Sequence, residues 1–424
     1  MAGEAAETPA SDDDHRILPE VATVLDAFEE AVEEFEAKPT VAFSSEGERR
    51  QQYFKHRREW AEQWSRPGPC MYRGCTEESI KRSHTIPLSA SLKLVAEYDH
   101  VLTPTYKDFE VDLSRISAKQ ASTFPGFCEE HERLFSDFES KKEMSSIEHF
   151  RLQAFRTVCR EIYRKRHDLG MISASLEAYR KRRDDYVLNV SRAAALDTSV
   201  KVRKIEFEGD RMESMVLEKL DDFRADLADL YRFYDDLLED IRAGSSKIPL
   251  KVVDFPWQVP LGLSGIGILR YDPKRYHKLT LCFLAVIPES KGTKVILGGP
   301  PEHWNALQPF LLKNEGPFHT LSLIERFMCR GSDHWFMKPS LWSKIPENRK
   351  NAIRKALLQF SKSLGYRVPF SVFDDVRLAL ISNAEAQLPK LTPSERRSTE
   401  KLIQRQKAKL NYISDGPEER PKRT

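Results

Sequence analysis

This chain has no apolar run of the roughly 18 residues that a membrane-spanning helix needs. Its longest apolar run, LTLCFLAVI at residues 279–287, is short enough to be a buried strand. The N-terminal residues are acidic and lack the basic-then-apolar pattern of a secretory signal. We therefore expect no membrane association and a cytoplasmic location.

Cysteine is scarce, with six in 424 residues, and three of the six fall between positions 70 and 128. Cytoplasmic thiols stay reduced, so clustered cysteines there bind metal more often than they form disulfides. The remaining cysteines are isolated along the chain, and we interpret Cys282 and Cys329 as small buried hydrophobes. A phosphate-binding loop of the glycine-lysine-serine/threonine type is also missing, which argues against ATP hydrolysis.

Neither sign of charge is in large excess, since 67 Lys and Arg residues oppose 65 Asp and Glu residues. The distribution is uneven. Residues 1–40 contain 12 acidic and 2 basic residues, or −10, which leaves +12 for the rest of a chain whose net charge is +2. A basic body with an acidic N-terminal arm permits phosphate binding. The same charges equally serve solubility.

Periodicity and helix-breaking residues predict an α+β fold with several domains. Amphipathic helices are expected at 17–37 and 48–64. Short runs of branched aliphatic residues after position 245 predict a mostly antiparallel sheet. The predicted segments are an acidic, partly disordered arm (1–45), a zinc module preceded by a basic helix (46–144), a helical hairpin (145–244), a C-terminal α+β domain (245–390) and a basic tail (391–424).

The most regular helix of the hairpin segment carries a heptad stripe of apolar residues. Two arrangements fit this pattern. The stripe can pack against an earlier helix around 150–186 as an intramolecular antiparallel hairpin, or it can form a homodimer or partner-protein seam. The stripe consists of Leu220, Phe223, Leu227, Leu230, Tyr234, Leu237 and Ile241.

Two pairs of potential metal ligands stand out. Cys70 and Cys75 enclose a short turn in CMYRGC, and Cys128 and His131 lie three residues apart in GFCEEHERLF. Three-residue spacing on the first turn of a helix brings both side chains to one face. A zinc knuckle, here the Cys70–Cys75 turn, followed by a helix that carries the second ligand pair is the arrangement of a treble-clef fold. Three thiolates and one imidazole are a ligand set that suits Zn²⁺. We expect a structural zinc ion contributing on the order of 10 kcal/mol to folding of the module.

An isolated histidine, His84 in KRSHTIP, lies between the two ligand pairs. The combination of CMYRGC, SHTIP and GFCEEHERLF spans residues 67–139, roughly a sixth of the chain. It resembles the HNH-type (ββα-metal) endonuclease module in a divergent bacterial form.

The resemblance implies a reaction and the residues that perform it. In that family the strand histidine is the general base that activates water to attack a phosphodiester, and a divalent ion, Mg²⁺ or Mn²⁺, stabilises the developing charge. By position, His84 is the implied base and Glu132 the implied ligand of the catalytic ion. Lys81 and Arg82 would flank the scissile phosphate of DNA. Ser83 departs from the pattern, because the family often has a metal-binding aspartate there.

Two functions from different classes follow. The first is an HNH-like, zinc-stapled, divalent-metal-dependent endonuclease or nuclease effector acting on DNA, in a bacterial defence context. The second is a non-catalytic, zinc-stabilised scaffold that binds nucleic acid or a partner protein. They differ only in the chemistry of His84 and Glu132, since a buried histidine can also simply order its strand.

Overall fold

The computed structural model describes residues 18–107, 110–206, 209–245, 247–269, 280–312, 316–358, 364 and 367–412. Residues 1–17 of the predicted acidic, partly disordered arm lie outside these residues. Contacts divide the chain into unit 1, comprising Met1–Ala61 and His167–Ala225, and unit 2, comprising Glu62–Arg166 and Asp226–Thr424. This division differs from the five predicted segments, because the helical stretch contributes residues to both units.

The described residues form both helices and strands. The helices are α1 (Pro19–Ala37), α2 (Glu46–Trp64), α3 (Lys93–Val95), α4 (Glu129–Glu132), α5 (Ser136–Lys141), α6 (Ile147–Ala194), α7 (Arg211–Ala243), α8 (Trp304–Leu312), α9 (Pro317–Arg330), α10 (Pro339–Lys344), α11 (Glu347–Leu358), α12 (Asp374–Gln387) and α13 (Pro393–Leu410). The strands are β1 (Ser83–His84), β2 (His100–Lys107), β3 (Glu110–Ser117), β4 (Thr123–Phe124), β5 (Leu250–Phe255), β6 (Leu261–Leu269), β7 (Thr280–Glu289), β8 (Gly292–Gly298) and β9 (Trp335–Met337).

A seven-stranded sheet in the order β3-β2-β9-β6-β7-β8-β5 lies in unit 2. All its pairings are antiparallel, which confirms the mostly antiparallel sheet that the sequence predicts. Residues 280–287 of the apolar run noted in the sequence lie in β7, which is buried on both faces. Cys282 and Leu284 enter one apolar core, and Leu281 and Phe283 enter the other. Because successive side chains of a strand point to opposite faces of the sheet, this single run contributes residues to both cores.

Two strands of this sheet come from the segment that the sequence assigns to the zinc module. Strands β2 and β3 join the strands of the C-terminal segment through β9, where Met337 pairs with both Leu102 and Leu261. Alternation within a strand shows which side is buried but not which strand lies beside it. The segment that the sequence assigns to the zinc module and the C-terminal segment consequently share one sheet.

The 48-residue helix α6 passes into the interior of unit 2. Its residues 151–162 are all buried, although half of them are polar or charged. Gln153 donates to the Thr85 carbonyl at 2.9 Å and to Ser264 Oγ at 3.0 Å, so the helix is joined to the zinc-ligand segment and to β6. Neither α6 nor any other helix in the described part of the chain is long and apolar enough to cross a membrane.

The heptad stripe of α7 is covered inside this chain. Leu237 and Tyr234 are buried in the core that β7 shares, and the Tyr234 ring lies 5.2 Å from that of Phe155 on α6. Lys165 pairs with Asp226 at 2.5 Å further along the same two helices. Within unit 2, α6 and α7 therefore pack antiparallel, which is the intramolecular arrangement. A homodimer or a partner protein on this helix stays a prediction.

Unit 1 is helical in its described residues. The ring of buried Phe35 on α1 lies 5.3 Å from that of Tyr179 on α6. Arg183 of α6 is also buried and pairs with Asp210 at 2.9 Å and with Glu213 at 2.8 Å. Because Asp210 also accepts from the Glu213 amide at 2.7 Å, it caps the start of α7 while binding α6.

A buried ion pair connects the helices behind the sheet. Glu325 of α9 and Arg377 of α12 are fully buried and 2.5 Å apart. Glu325 also accepts from the Val372 amide at 2.8 Å, and Arg377 donates to Ser371 Oγ at 2.9 Å. Burial opposes ionisation of Glu325, but Arg377 and Lys409 outweigh it and lower the pKa of that carboxyl.

We expect Glu325→Gln to reduce the free energy of unfolding by about 3–5 kcal/mol, because it leaves the Arg377 charge buried and uncompensated. Urea unfolding followed by circular dichroism measures this loss. Asp375→Asn is the matched control, since its pair with Lys344 is exposed and worth less than about 1 kcal/mol. Equal effects of the two substitutions would contradict the assignment.

Candidate metal centre

Four side chains meet as the sequence predicts. The ligand atoms of Cys70, Cys75, Cys128 and His131 all lie within 4.8 Å of one another. The Sγ atoms of Cys75 and Cys128 are 3.8 Å apart, and His131 Nδ1 lies 3.7 Å from Cys70 Sγ and 3.2 Å from Cys128 Sγ. Four ligands around a tetrahedral Zn²⁺ with Zn–S bonds of about 2.3 Å have edges of about 3.8 Å. The donor set and its spacing therefore suit a zinc-like ion.

The first ligand pair lies on a tight turn that the backbone itself stabilises. The Cys75 amide donates to the Tyr72 carbonyl at 3.0 Å, and a bridge between Pro69 and Glu78 closes the loop. Gly74, which lies just before Cys75, has φ +92°, a conformation that side-chain-bearing residues rarely adopt. The glycine in CMYRGC is therefore required by the turn that aims the two thiols at one point.

The second pair lies at the start of α4. Cys128 precedes the first helical residue in extended conformation, and its carbonyl accepts from the Glu132 amide at 2.9 Å. The Cys128 amide in turn donates to Cys70 Sγ at 3.4 Å. The start of α4 thus provides two ligands, Cys128 and, one turn later, His131. Its Cys128 amide also stabilises negative charge on the Cys70 sulfur.

Helix α7 holds the ligand turn from outside. Tyr234 Oη accepts from the Arg73 amide at 2.9 Å and donates to the Met71 carbonyl at 2.5 Å. The Tyr72 ring stacks on the His131 imidazole with 4.1 Å between centroids, and Arg242 lies 4.9 Å above Tyr72. These partners orient the histidine, as residues around metal ligands commonly do.

The thiols differ in their ease of ionisation. Burial raises the pKa of Cys70 to about 11. Burial also opposes ionisation of Cys128, but hydrogen bonds to His131 and to the other thiols outweigh it and lower the pKa to about 7. A bound divalent cation would hold all three sulfurs as thiolates, because ligation displaces the thiol proton.

His84 lies beside this centre on β1, opposite Thr123 of β4. The pKa of His84 is lowered to about 4. The main cause is burial, and the second is the positive charge of the neighbouring Arg156 guanidinium. The main chain of Lys119 hydrogen-bonds the ring, while Nε2 is buried without a hydrogen-bond partner among the described residues. At pH 7 the imidazole is neutral and retains one nitrogen that can accept a proton.

Glu132 is bound by an arginine that the sequence analysis did not single out. Arg156 of α6 is fully buried and donates through Nη2 to Glu132 Oε1 and through Nη1 to Glu139 Oε1, the latter at 2.5 Å. Its guanidinium also lies 4.2 Å from the Phe135 ring centroid. Glu132 Oε2 is buried and has no hydrogen-bond partner in the described part of the chain. Of the two oxygens of the Glu132 carboxylate, Oε1 is therefore bonded to Arg156, and Oε2 has no partner in the described part of the chain.

The sequence carried no signal for the roles of Arg156 and Glu139. Along residues 151–162, the apolar side chains fall on one face of α6 and the polar side chains, apart from Arg151, fall on the other. That separation is typical of a surface helix, so it does not indicate that the polar face is buried. The carboxylates that Arg156 meets lie on other elements.

The residues next to His84 serve different purposes. The Ser83 hydroxyl is buried and accepts from the Phe127 amide at 3.1 Å, so it joins β1 to the residue before Cys128. Lys81 and Arg82 are exposed. Arg82 also contributes to the lowered pKa of His84, which shows that its charge lies near the imidazole.

The chain matches no protein-family model, no curated protein and no solved structure. The chemistry of the centre is therefore inferred from its own geometry. That geometry consists of a Cys3His cluster, a neutral histidine on the adjoining strand and a buried arginine with two carboxylates.

We expect purified protein to contain about one zinc ion per chain, because the four ligands describe a single tetrahedral site. Cys128→Ser should reduce the zinc content to near zero and lower the thermal unfolding midpoint, since such ions contribute on the order of 10 kcal/mol to folding. Inductively coupled plasma mass spectrometry measures the content. Cys282→Ala, which alters a buried cysteine in β7, is the matched control and should retain the metal. Full metal retention in Cys128→Ser would refute the site.

The low pKa of His84 predicts a pH-dependent contribution to stability. Its folded-state pKa of about 4 is below the ordinary 6.5, so the folded chain binds fewer protons between these values. This stabilising contribution is complete above pH 6.5 and is lost as the pH falls towards 4. The difference in unfolding free energy between wild type and His84→Asn should therefore shrink from pH 7 to pH 5 in urea titrations. Protonation of the metal ligands is common to both proteins and cancels, and a constant difference would mean that His84 titrates normally.

Proposed function

We propose that residues 67–139 form a treble-clef, HNH-like (ββα-metal) module and that the chain is a divalent-metal-dependent endonuclease acting on DNA. One observation carries the proposal. The antiparallel pair β1–β4 leads directly into α4 with its ligands, and β1 presents a neutral histidine with an unpartnered ring nitrogen. This is the order of elements that the resemblance implies, although β2 and β3 are inserted between the paired strands.

In this proposal the catalytic proton transfer belongs to His84. Its hydrogen bond to the Lys119 main chain fixes the ring, and Nε2 accepts the proton of the attacking water. Lys81 and Arg82 are exposed and bind the phosphates on either side of the scissile bond. Bound Mg²⁺ or Mn²⁺ would supply stabilisation of negative charge on the phosphate oxygens.

Arg156 is a positioning residue for Glu132. Its bond to Oε1 holds the carboxylate in one rotamer and leaves Oε2 as the oxygen that can ligate a hard cation. The second carboxylate on Arg156, that of Glu139, helps to balance the guanidinium charge, so the arginine does not fully neutralise Glu132.

A non-catalytic, zinc-stabilised scaffold is the second candidate, and two contacts favour it. Ser83 occupies the position at which the HNH family often has a metal-binding aspartate, but its hydroxyl accepts a hydrogen bond from the Phe127 amide. Glu132 already has Arg156 as a partner. Under this alternative, His84 orders β1, and the exposed Lys81 and Arg82 bind nucleic acid or an acidic partner without cleavage.

Cleavage of supercoiled plasmid and of single-stranded DNA with Mg²⁺ or Mn²⁺ distinguishes the two. We expect wild type to nick DNA, and His84→Ala to cleave about 10²–10⁴-fold more slowly, because that is the usual contribution of a positioned general base. His100→Ala is the matched control, since the partly exposed ring of this histidine contacts the nearby Tyr98 carbonyl and is not assigned a role.

Zinc content is measured on every variant, so that loss of activity is not confused with loss of the metal cluster. Nicking that survives His84→Ala at the wild-type rate would eliminate the proposed base. Zinc-loaded wild type that binds DNA in fluorescence anisotropy but cleaves it with neither cation would support the scaffold instead. In that outcome, weaker binding by Lys81→Gln and Arg82→Gln would identify the contact surface.

A further inference from the structure

Unit 1 contains a solvent-open cavity of about 220 Å³, with exposed Arg49 and Ser175 among its lining residues, and it is separate in sequence from the candidate metal centre. Two helix faces line it. Arg49, Gln52 and His56 lie on α2 with spacing of three and four residues, and Ser175, Ala178 and Arg182 repeat the same spacing on α6. Residues at these intervals share one side of a helix.

The lining is unusual for two helices that face one another. Packed helices commonly present apolar stripes to each other. Here the facing side chains are mostly hydrogen-bond donors, and the small Ser175 and Ala178 leave space between them. Phe43, from the turn before α2, supplies the aromatic part of the wall, and acidic residues are not among those that line the cavity.

Arg182 is the key residue of this cavity. Its guanidinium lies 5.1 Å from the Phe43 ring centroid, and the described residues include no carboxylate paired with it. Burial lowers the pKa of Arg182, and no carboxylate of the described residues is among the causes that shift it. The neighbouring Arg183, in contrast, is paired with Asp210 and Glu213. An uncompensated, partly desolvated cation is costly unless an anion joins it.

The other cations of the lining have carboxylates nearby. Arg49 forms two hydrogen bonds with Glu46, at 2.8 and 2.6 Å, and His56 Nδ1 lies 3.6 Å from Glu59. These carboxylates hold the two side chains in place at the cavity wall. Gln52 and Ser175 add neutral donors. A planar guanidinium with additional donors is the usual means of binding phosphate oxygens.

We propose that this cavity is a binding site for the phosphoryl group of a small molecule, such as inorganic phosphate or a mononucleotide, with Arg182 as its principal cation. The cavity is below the 300–1,000 Å³ typical of drug-sized ligands, so it suits a compact anion. The proposal does not depend on the nuclease function, because none of its residues belongs to the metal centre.

Thermal unfolding and isothermal titration calorimetry of the full chain test the site, with sodium phosphate or adenosine 5′-monophosphate as probe and sodium chloride at equal ionic strength as reference. Ligand that binds only the folded state raises the unfolding midpoint. We expect phosphate, but not chloride, to stabilise wild type, and Arg182→Met to weaken phosphate binding at least tenfold. Lys181→Met, which removes an exposed neighbouring charge, should bind as wild type does.

Two further readouts separate a binding site from a structural arginine. Without phosphate, Arg182→Met should unfold at a temperature equal to or higher than wild type, because it removes an uncompensated charge. Ala178→Leu should fill the cavity and weaken phosphate binding while leaving Arg182 in place. The proposal fails if Arg182→Met binds phosphate as wild type does, if chloride stabilises equally, or if only oligonucleotides and no small phosphate bind.

Discussion

Residues 151–162 of α6 carry six polar or charged side chains into the interior of unit 2, where an unpaired charge would cost several kcal/mol. Some of their pairings lie within α6, such as Arg160 with Glu161, and others attach another element to the helix. Arg156 binds the carboxylates of Glu132 and Glu139 beside the ligand helix. Gln153 binds the Thr85 carbonyl and Ser264 of β6. The zinc-ligand segment and the sheet are thus held together by the need to satisfy one buried polar helix.

The Cys3His cluster, which could hold a metal ion, adds a second constraint on the same region. Four ligands from two separated segments come within 4.8 Å, and α7 contacts the turn that carries the first two. The histidine ligand is stacked between the cluster and the Tyr72 ring, which Arg242 covers in turn. Because α7 also packs on α6, the ligand turn, α4 and both long helices form one connected set of contacts within unit 2. The same residue of α7, Tyr234, thus bonds the turn that carries Cys70 and Cys75 and packs on Phe155 of α6.

The sequence predicted the ligand set, the bounds of α1 and α2 to within two residues and the antiparallel character of the sheet. Each of these depends on local spacing: four residues between Cys70 and Cys75, two between Cys128 and His131, and alternation along β7. Local spacing could not predict that β2 and β3 extend the sheet of the C-terminal segment, since strand partners are chosen across the fold. For the same reason it did not show that Glu132 meets Arg156, an arginine on another helix.

The sequence by itself therefore determined which atoms can bind a metal and where His84 lies relative to them along the chain. Only the tertiary structure decided the electrostatic setting of that histidine, because burial and the nearby Arg156 charge together lower its pKa to about 4. It also decided that the Ser83 hydroxyl bonds a backbone amide and that Arg182 faces a cavity without a carboxylate. Spacing along the chain indicates which side chains can bind a metal together. The pKa of a side chain depends instead on its burial and on nearby charges, which only the folded chain brings together.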